Sequence, residues 1–233
     1  GWPINPLEEF NIIDYGDCAF DHGKLHEAPA AIEEHISTIL NAGATAISIG
    51  GDHYTTLPNL RAHAAKHGPV AIIQFDAHSD TWVDDDPDRM DHGTFMYRAI
   101  QEGLIVPEKS VQVGIRTTNE DTKGFNTLDA RFVHEHGPME TAKRIKEIVG
   151  DHKVYLTFDI DGLDPAFAPG TGTPVFSGLT SGQVAIILRD IAGINLIGGD
   201  VVEVSPAYDT TGATAVAGSQ IVLELLCLLA NKN

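Results

Sequence analysis

Short apolar segments alternate with longer amphipathic segments along this 233-residue chain, and the alternation predicts an α/β fold. The short segments are nearly all apolar, as in residues 71–73, which is typical of strands that helices cover on both faces. Because a helix follows almost every strand, the strands should pair in parallel through right-handed crossovers. The length fits one domain, over residues 1–233, built on a mainly parallel sheet.

The apolar segments predict six strands in chain order. They span residues 10–14, 45–49, 70–75, 111–115, 154–158 and 195–202. Residues 46–49 read Ala-Ile-Ser-Ile and residues 71–73 read Ala-Ile-Ile, the continuous apolar character of strands inside a parallel sheet.

The amphipathic segments predict six helices. They span residues 28–41, 57–67, 95–102, 139–149, 181–191 and 213–230. Gly43, Gly68 and Gly150 each follow one of these helices, at the position where glycine commonly ends a last turn. The acidic run at residues 84–88 falls between predicted elements and therefore lies in a loop.

The chain is strongly acidic, with 33 Asp and Glu against 15 Lys and Arg and a formal net charge of −18. This balance argues against a nucleic-acid partner, whose phosphates require basic contacts. It suits a cationic small molecule, although many proteins are acidic for solubility alone. A hydrophobic content of 42% excludes an extended disordered chain.

The sequence predicts a cytoplasmic protein with no membrane partner. The apolar run at residues 221–230 is too short to span a bilayer and carries Glu224. Cys18 and Cys227 are the two cysteines, and their wide separation favours free thiols in a reducing compartment over a disulfide.

Polar residues that can bind metals follow several of the predicted strands. Asp76, His78 and Asp80 alternate as one strand opens into a loop, so their side chains can share a face. Asp159 and Asp161 repeat this spacing, and His53 follows a third strand. Ligands of open parallel sheets bind beyond the carboxyl ends of the strands, so these side chains should converge.

Each cluster alone has an ordinary explanation: a helix cap for the first, an Asx turn for the second and a core histidine for His53. Their joint occurrence at three strand ends favours metal binding. Two histidines and four carboxylates suffice for two divalent cations with shared carboxylates, and paired metals activate water at neutral pH. A carboxylate-rich set without thiolate favours Mn²⁺ over Zn²⁺, Co²⁺ or Fe²⁺.

His92 and Glu203 are the further candidates for catalysis. His92 lies in the loop beyond Asp80 and is either a proton carrier near the metals or a surface histidine. Glu203 follows the last predicted strand and could hold a planar guanidinium through paired hydrogen bonds, or serve only as a salt-bridge partner. The glycine-rich residues 169–174 form a rigid turn that is expected to wall the pocket.

Three blocks of this sequence resemble the signatures of the ureohydrolase family, which includes arginase and agmatinase. They are residues 50–53 (Gly-Gly-Asp-His), 76–80 (Asp-Ala-His-Ser-Asp) and 159–165 (Asp-Ile-Asp-Gly-Leu-Asp-Pro). Residues 91–94, 165–174 and 200–209 look most like the bacterial agmatinases within that family. The resemblance runs from about residue 10 to the C-terminus.

The resemblance implies a three-layer α/β/α sandwich, two Mn²⁺ ions and assembly into trimers or hexamers. It implies that Asp76 and Asp159 bridge the ions, that His53 and Asp80 complete one site and that His78 and Asp161 complete the other. His92 resembles the histidine near the leaving group, and Asp161 is a second candidate for the proton carrier. Glu203 resembles the carboxylate that orients the guanidinium.

The implied reaction is hydrolysis of agmatine to putrescine and urea, a step in polyamine synthesis. The acidic run at residues 84–88 should also disfavour arginine, whose α-carboxylate meets like charge there, unless the run simply faces solvent. Other guanidino substrates, such as guanidinobutyrate or arginine, remain open. So do a non-catalytic metal-binding subunit and a dinuclear phosphoesterase, although basic residues are scarce near the predicted site. We also expect the chain to lack a first strand and an Arg-containing segment that the family carries.

Overall fold

In the part of the chain that the structure describes, six parallel strands form one sheet, in the order β1-β6-β5-β2-β3-β4. The computed structural model describes residues 2–86, 88–119 and 121–231. The strands are β1 (Ile47–Ile49), β2 (Ala71–Phe75), β3 (Val111–Val113), β4 (Asn126–Leu128), β5 (Val154–Asp159) and β6 (Leu196–Val202). Every pairing between them is parallel, as the crossover helices require.

Helices cover both faces of the sheet. The α-helices of the described residues are α1 (Pro6–Glu9), α2 (Ala28–Asn41), α3 (Thr56–His67), α4 (Phe95–Gln101), α5 (Ala130–His136), α6 (Pro138–Val149), α7 (Ser181–Asp190) and α8 (Ala213–Ala230). One core joins α5–α8 to Phe75, Leu156 and Val201, whereas α3 and α4 pack on Ile72 and Tyr155. The predicted three-layer α/β/α sandwich is therefore confirmed.

The two central strands are buried along their whole length. Every residue of Ala71–Phe75 and of Val154–Asp159 is buried, so both faces of these strands are covered. Phe75 and Phe158 stack across the β2–β5 pair with ring centroids 5.0 Å apart. The middle of the sheet is therefore its most constrained part, and the loops that leave it start from fixed positions.

The predicted strand at residues 10–14 is wrong. This segment has no regular structure, and Phe10, Ile12 and Ile13 expose 40%, 38% and 69% of their surface. Asp14 instead accepts a hydrogen bond from the backbone N–H of Gly16 at 3.0 Å, as in an Asx turn. An apolar segment becomes a strand only if its backbone pairs, and among the described residues this segment has no sheet partner.

Among the strands and α-helices of the described residues, one strand and two helices were not predicted from the sequence. Strand β4 has only three residues, two of them the polar Asn126 and Thr127, so its pattern carries no apolar signal. Helix α5 has seven residues and is capped by the preceding Asp129, whose side chain accepts from Phe132 N at 2.7 Å. Helix α1 has four residues. The six predicted helices agree with the structure to within one residue at each end.

Helix α8 is long and apolar enough to cross a membrane by length and composition, with a mean hydropathy of 1.8. In this structure 44% of the helix is buried inside the protein, where Ile221, Leu225 and Leu228 join the main core. Its buried Glu224 accepts hydrogen bonds from Arg189 at 2.7 Å and from Trp2 at 2.5 Å. We therefore interpret α8 as a core helix of this domain.

We expect Ile13→Ala to change the free energy of unfolding by less than ~0.5 kcal/mol, since the side chain is exposed. The matched variant Ile73→Ala, in the buried strand β2, should cost about 2–5 kcal/mol because it leaves a cavity. Chemical denaturation of both variants measures the difference. Equal losses would mean that residues 10–14 are covered in solution.

Candidate metal centre

Four neighbouring strands deliver the predicted polar residues to one edge of the sheet. His53 starts a short 3₁₀ helix beyond β1, and Asp76 directly follows β2. Asp159 is the last residue of β5, and Glu203 directly follows β6. Because β1, β6, β5 and β2 are adjacent in the sheet, their carboxyl ends lie side by side.

The first group of possible ligands surrounds the imidazole of His53. Its Nδ1 lies 2.9 Å from Asp80 Oδ2, 3.0 Å from Asp76 Oδ2 and 3.2 Å from Asp159 Oδ2. All four side chains are buried, yet none of these contacts has hydrogen-bond geometry at Nδ1. One nitrogen and three carboxylate oxygens around a common point are a donor set that fits a divalent cation.

The second group shares Asp76 with the first. His78 Nδ1 lies 3.0 Å from Asp161 Oδ2 and 3.6 Å from Asp76 Oδ1, so the two oxygens of Asp76 face different groups. In this structure Asp159 lies with the His53 group through its Oδ2. The predicted bridging position of Asp76 agrees with this geometry, and that of Asp159 stays a prediction.

Local turns hold the acidic residues in place. Asp159 Oδ1 accepts from the backbone N–H of Asp161 at 2.8 Å, and Asp76 Oδ1 accepts from that of His78 at 2.6 Å. Asp161 Oδ1 accepts from Ala77 N at 3.0 Å, which ties the two loops together. The Asx-turn explanation is therefore correct for one oxygen of Asp159, while its other oxygen faces the His53 group.

Crowding of buried acids perturbs their protonation. Burial and the charge of Asp76 raise the pKa of Asp80 to about 7, and the same two causes raise the pKa of Asp159 well above its usual value. Burial acts to raise the pKa of Asp76, but the contacts with His53 and His78 outweigh this effect and hold the pKa below its usual value. Protons and imidazolium charge thus offset the repulsion among the acids, and divalent cations can do so more fully.

Glu203 and His92 form a pair beside the His53 group. Glu203 Oε1 accepts from the backbone N–H of His53 at 2.8 Å and lies 3.1 Å from His92 Nδ1. Glu203, despite burial, raises the pKa of the half-exposed His92 to about 9, so the imidazole is protonated at neutral pH. Two of the three predicted catalytic residues, His92 and Glu203, therefore lie within contact distance of each other, whereas Asp161 lies with the His78 group.

Backbone strain marks the same region. Glu203 has φ = +65° and Asp80 has φ = +52°, left-handed values that non-glycine side chains seldom adopt. Each such conformation costs of order 1 kcal/mol and persists only where the surrounding structure imposes it. At Glu203 the strained backbone turns the carboxylate towards His53 and His92.

The chain matches the Arginase family over residues 2–228, nearly its whole length. It belongs to the arginase family. An agmatinase of Chromobacterium violaceum is 53% identical over 233 residues, which are 99% of this chain and 72% of that protein.

Two solved structures agree with this assignment. The crystal structure of a hypothetical agmatinase from Burkholderia thailandensis has a TM-score of 0.96 at 55% identity, covering 98% of this chain and 73% of that one. Proclavaminate amidino hydrolase from Streptomyces clavuligerus has a TM-score of 0.93 at 40% identity, covering 98% and 79%. The ureohydrolase resemblance, closest to agmatinase, is thus confirmed. The family depends on dinuclear metal centres, and the two groups sharing Asp76 are the candidate ligands here.

Two residues of this arginase-family site were not predicted from the sequence. The Arg116 guanidinium donates to the main-chain carbonyls of Asp161 at 2.6 Å and of Val175 at 2.7 Å, which fixes the loop behind the ligand groups. Gln74 Nε2 donates to Asp76 Oδ2 at 2.7 Å from inside strand β2. Gln74 could have been recognised in the sequence as a polar residue within an apolar strand. Arg116 could not, because its partners are backbone carbonyls, which leave no sequence pattern.

The glycine-rich turn and the acidic loop take different positions relative to the family site. Thr173 Oγ1 donates to Asp161 Oδ2 at 3.3 Å, so residues 169–174 lie against the second group. In the acidic loop, Asp84 lies 3.5 Å from Arg89, and Arg89 also pairs with Asp91 at 2.6 Å. Part of the acidic run is therefore neutralised by arginine, which weakens the charge argument against arginine as a substrate.

We expect Asp76→Asn to abolish metal binding at both groups, because Asp76 is the residue they share. Elemental analysis after Mn²⁺ loading and desalting should fall from about two ions per chain to near zero. Asp164→Asn is the matched control, since Asp164 caps a neighbouring turn through Ala166 N at 2.9 Å and lies outside both groups. Retention of both ions by Asp76→Asn would remove Asp76 from the centre.

Proposed function

We propose that this chain hydrolyses agmatine to putrescine and urea. Its membership of the arginase family makes it a hydrolase of guanidino C–N bonds. Identities of 53% and 47% to agmatinases of Chromobacterium violaceum and Proteus mirabilis support agmatine among guanidino compounds. The observation that carries the proposal is the convergence of two His–carboxylate groups, sharing Asp76, beside the Glu203–His92 pair.

We propose that the site holds two Mn²⁺ ions. His53, Asp76, Asp80 and Asp159 would hold one ion, and Asp76, His78, Asp159 and Asp161 the other. When bound, the ions lower the pKa of a coordinated water and so supply a nucleophile at neutral pH. Manganese rather than zinc follows from a carboxylate-rich ligand set without thiolate.

Glu203 binds the guanidinium of the substrate in this proposal. Its Oε1 is occupied by His53 N and His92 Nδ1, and neither contact uses Oε2. Oε2 can therefore accept an N–H from a planar guanidinium while Oε1 keeps the carboxylate oriented. The contact with the backbone of His53 also fixes the substrate relative to the first metal group, which is the positioning that catalysis requires.

His92 supplies the proton that lets the amine leave. Because its pKa is raised to about 9, the imidazole is protonated at neutral pH and can donate to the leaving nitrogen. Its side chain is 48% exposed, so the proton can be replaced from solvent after each turnover. Asp161, whose pKa burial raises above its usual value, is the second candidate for this transfer.

Other functions receive less support from the site. One relative that is 40% identical to this chain is named for a different substrate, proclavaminate. Another linear guanidino compound is therefore the main alternative to agmatine. A phosphoesterase needs basic groups facing the metals, whereas the Arg116 guanidinium hydrogen-bonds to backbone carbonyls. A non-catalytic subunit has no use for the Glu203–His92 pair.

We further propose that residues 1–233 act as a single domain in a cytoplasmic homo-oligomer, a trimer or hexamer. Cys18 and Cys227 are both free thiols, which supports a reducing compartment. The net charge of −18 supports a cationic substrate and opposes a nucleic-acid partner, and we expect no membrane partner.

Agmatine should be hydrolysed with a higher kcat/KM than guanidinobutyrate or arginine on one Mn²⁺-loaded preparation. The reason is that both competitors add a carboxylate to an acidic protein, where the charge is only partly neutralised by Arg89. Urea release from the three compounds is the measurement. A higher kcat/KM for either competitor would overturn the substrate while leaving the reaction class intact.

His92→Ala should keep both metal ions and lose about 10²–10⁴-fold in kcat, the usual contribution of a positioned proton donor. His152→Ala is the matched control, because His152 is exposed and lies in the turn after α6. Steady-state urea release and elemental analysis on the same samples separate the two effects. A variant that loses metal would make His92 a ligand, and one with unchanged kcat would remove it from the reaction.

A further inference from the structure

A chain of buried hydroxyl groups leads from the back of His53 to Asp200. His53 Nε2 lies 2.9 Å from Thr157 Oγ1, which lies 3.4 Å from Thr56 Oγ1. Thr56 Oγ1 in turn donates to Asp200 Oδ2 at 2.9 Å. All four side chains are at most 1% exposed, so water does not compete for these contacts.

The chain has one consistent direction. Nδ1 of His53 faces three carboxylate oxygens, so it is the atom that would bind the metal. A nitrogen that binds a metal carries no proton, so the proton of the neutral ring sits on Nε2, which donates to Thr157 Oγ1. A threonine hydroxyl has one hydrogen, and that of Thr157 is left to point at Thr56. The hydrogen of Thr56 then reaches Asp200, an acceptor at the end of the series.

Asp200 is a buried acceptor at the end of this series, and Asn59 Nδ2 also donates to its Oδ2 at 3.4 Å. It lies within β6, directly across the sheet from Thr157 in β5, and is completely buried. Tyr155 donates to its Oδ2 at 2.7 Å, but among the described residues no lysine or arginine pairs with it and its Oδ1 has no partner. A buried carboxylate without a cation costs stability, so a compensating function is expected.

We propose that Asp200 is a positioning residue of the metal centre. Through Thr56 and Thr157 it keeps the proton of His53 on Nε2, orients the ring and strengthens Nδ1 as a ligand. Partners behind a metal-binding histidine typically act in this way, most often as a carboxylate in direct contact. Here two hydroxyls carry the effect from strand β6 to a ligand on the neighbouring loop. The inference rests on the proposed metal site.

The geometry explains why hydroxyls are needed at both intermediate positions. Thr157 is on β5 and Thr56 is the first residue of α3, so the contacts also join the helix to the sheet. The described contacts connect His53 to Asp200 only through the hydroxyls of Thr157 and Thr56. If these side chains served only to pack the helix on the sheet, their shape would matter and the direction of their hydrogen bonds would not.

The test removes one hydroxyl at constant shape. Thr56→Val breaks the chain while leaving Thr157 in contact with His53, and Thr56→Ser restores the hydroxyl. Thr141→Val is the control, since Thr141 is another buried threonine, whose hydroxyl donates to Gly137 O at 2.9 Å within α6. Metal-free protein is titrated with Mn²⁺, and the free ion is measured by electron paramagnetic resonance.

We expect Thr56→Val to weaken one of the two binding steps by about 10–100-fold, the usual effect of losing a partner behind a ligand. Thr56→Ser and Thr141→Val should stay within about 3-fold of the unmodified protein, whatever their melting temperatures, because both keep the relay. Asp200→Asn keeps a carbonyl oxygen that can accept from Thr56, so it should bind Mn²⁺ more tightly than Thr56→Val does.

A second background identifies the ion affected. In a His78→Asn protein only the His53 group is intact, and Thr56→Val should still weaken Mn²⁺ binding there. In a His53→Asn protein the effect of Thr56→Val should vanish, because the relay no longer ends on a ligand. Unchanged affinity in the first background, or equal weakening by Thr56→Ser, would overturn the relay. If the unmodified protein binds no Mn²⁺, the proposed metal site itself fails.

Discussion

Repulsion among four buried carboxylates at one edge of a parallel sheet is the constraint on which the site depends. Asp76, Asp80, Asp159 and Asp161 are at most 5% exposed, and the basic side chains that pair with them in the described part of the chain are the imidazoles of His53 and His78. Buried like charges at this spacing destabilise a fold unless protons or cations compensate. The carboxylates of this site therefore repel one another, and bound divalent cations would offset that repulsion.

The fold imposes this arrangement through its most rigid parts. Asp76 directly follows β2 and Asp159 ends β5, the two central strands of the sheet, whose stacked phenylalanines fix the starting points of both loops. Close packing then leaves little freedom, since a Cβ on Gly162 would come within 3.0 Å of Asp76 N. Arg116 holds the Asp161 loop from behind by its backbone carbonyl. The acids cannot relax apart without disturbing the core.

Polar groups beneath the site extend this constraint into the sheet. Gln74 contacts Asp76 from within β2, and Gln112 Nε2 donates to Gln74 Oε1 at 2.7 Å. On the other side, Thr157 contacts His53 from within β5. Each is a buried polar side chain in a position where the sheet otherwise carries apolar residues. Gln74 and Thr157 each contact a candidate ligand directly, and Gln112 supports Gln74 from the neighbouring strand.

The sequence by itself determined the layered fold, the six longer helices and which polar residues cluster at one edge of the sheet. Period and composition reveal a buried strand such as Ala71–Phe75, and the loop after it reveals Asp76, His78 and Asp80. It did not determine which apolar segment pairs: residues 10–14 have the composition of a strand, yet in the described structure they have no backbone hydrogen bond to the sheet. Pairing is a property of two segments, and one segment cannot disclose it.

Only the tertiary structure decided which atoms meet. The order β1-β6-β5-β2 brings His53, Glu203, Asp159 and Asp76 together across as many as 150 residues of sequence separation. It also placed Arg116 on backbone carbonyls and Asp200 at the end of two hydroxyls, contacts that leave no pattern in the sequence. Sequence periodicity reports which face of an element is buried, whereas a hydrogen bond between distant side chains depends on how the elements pack.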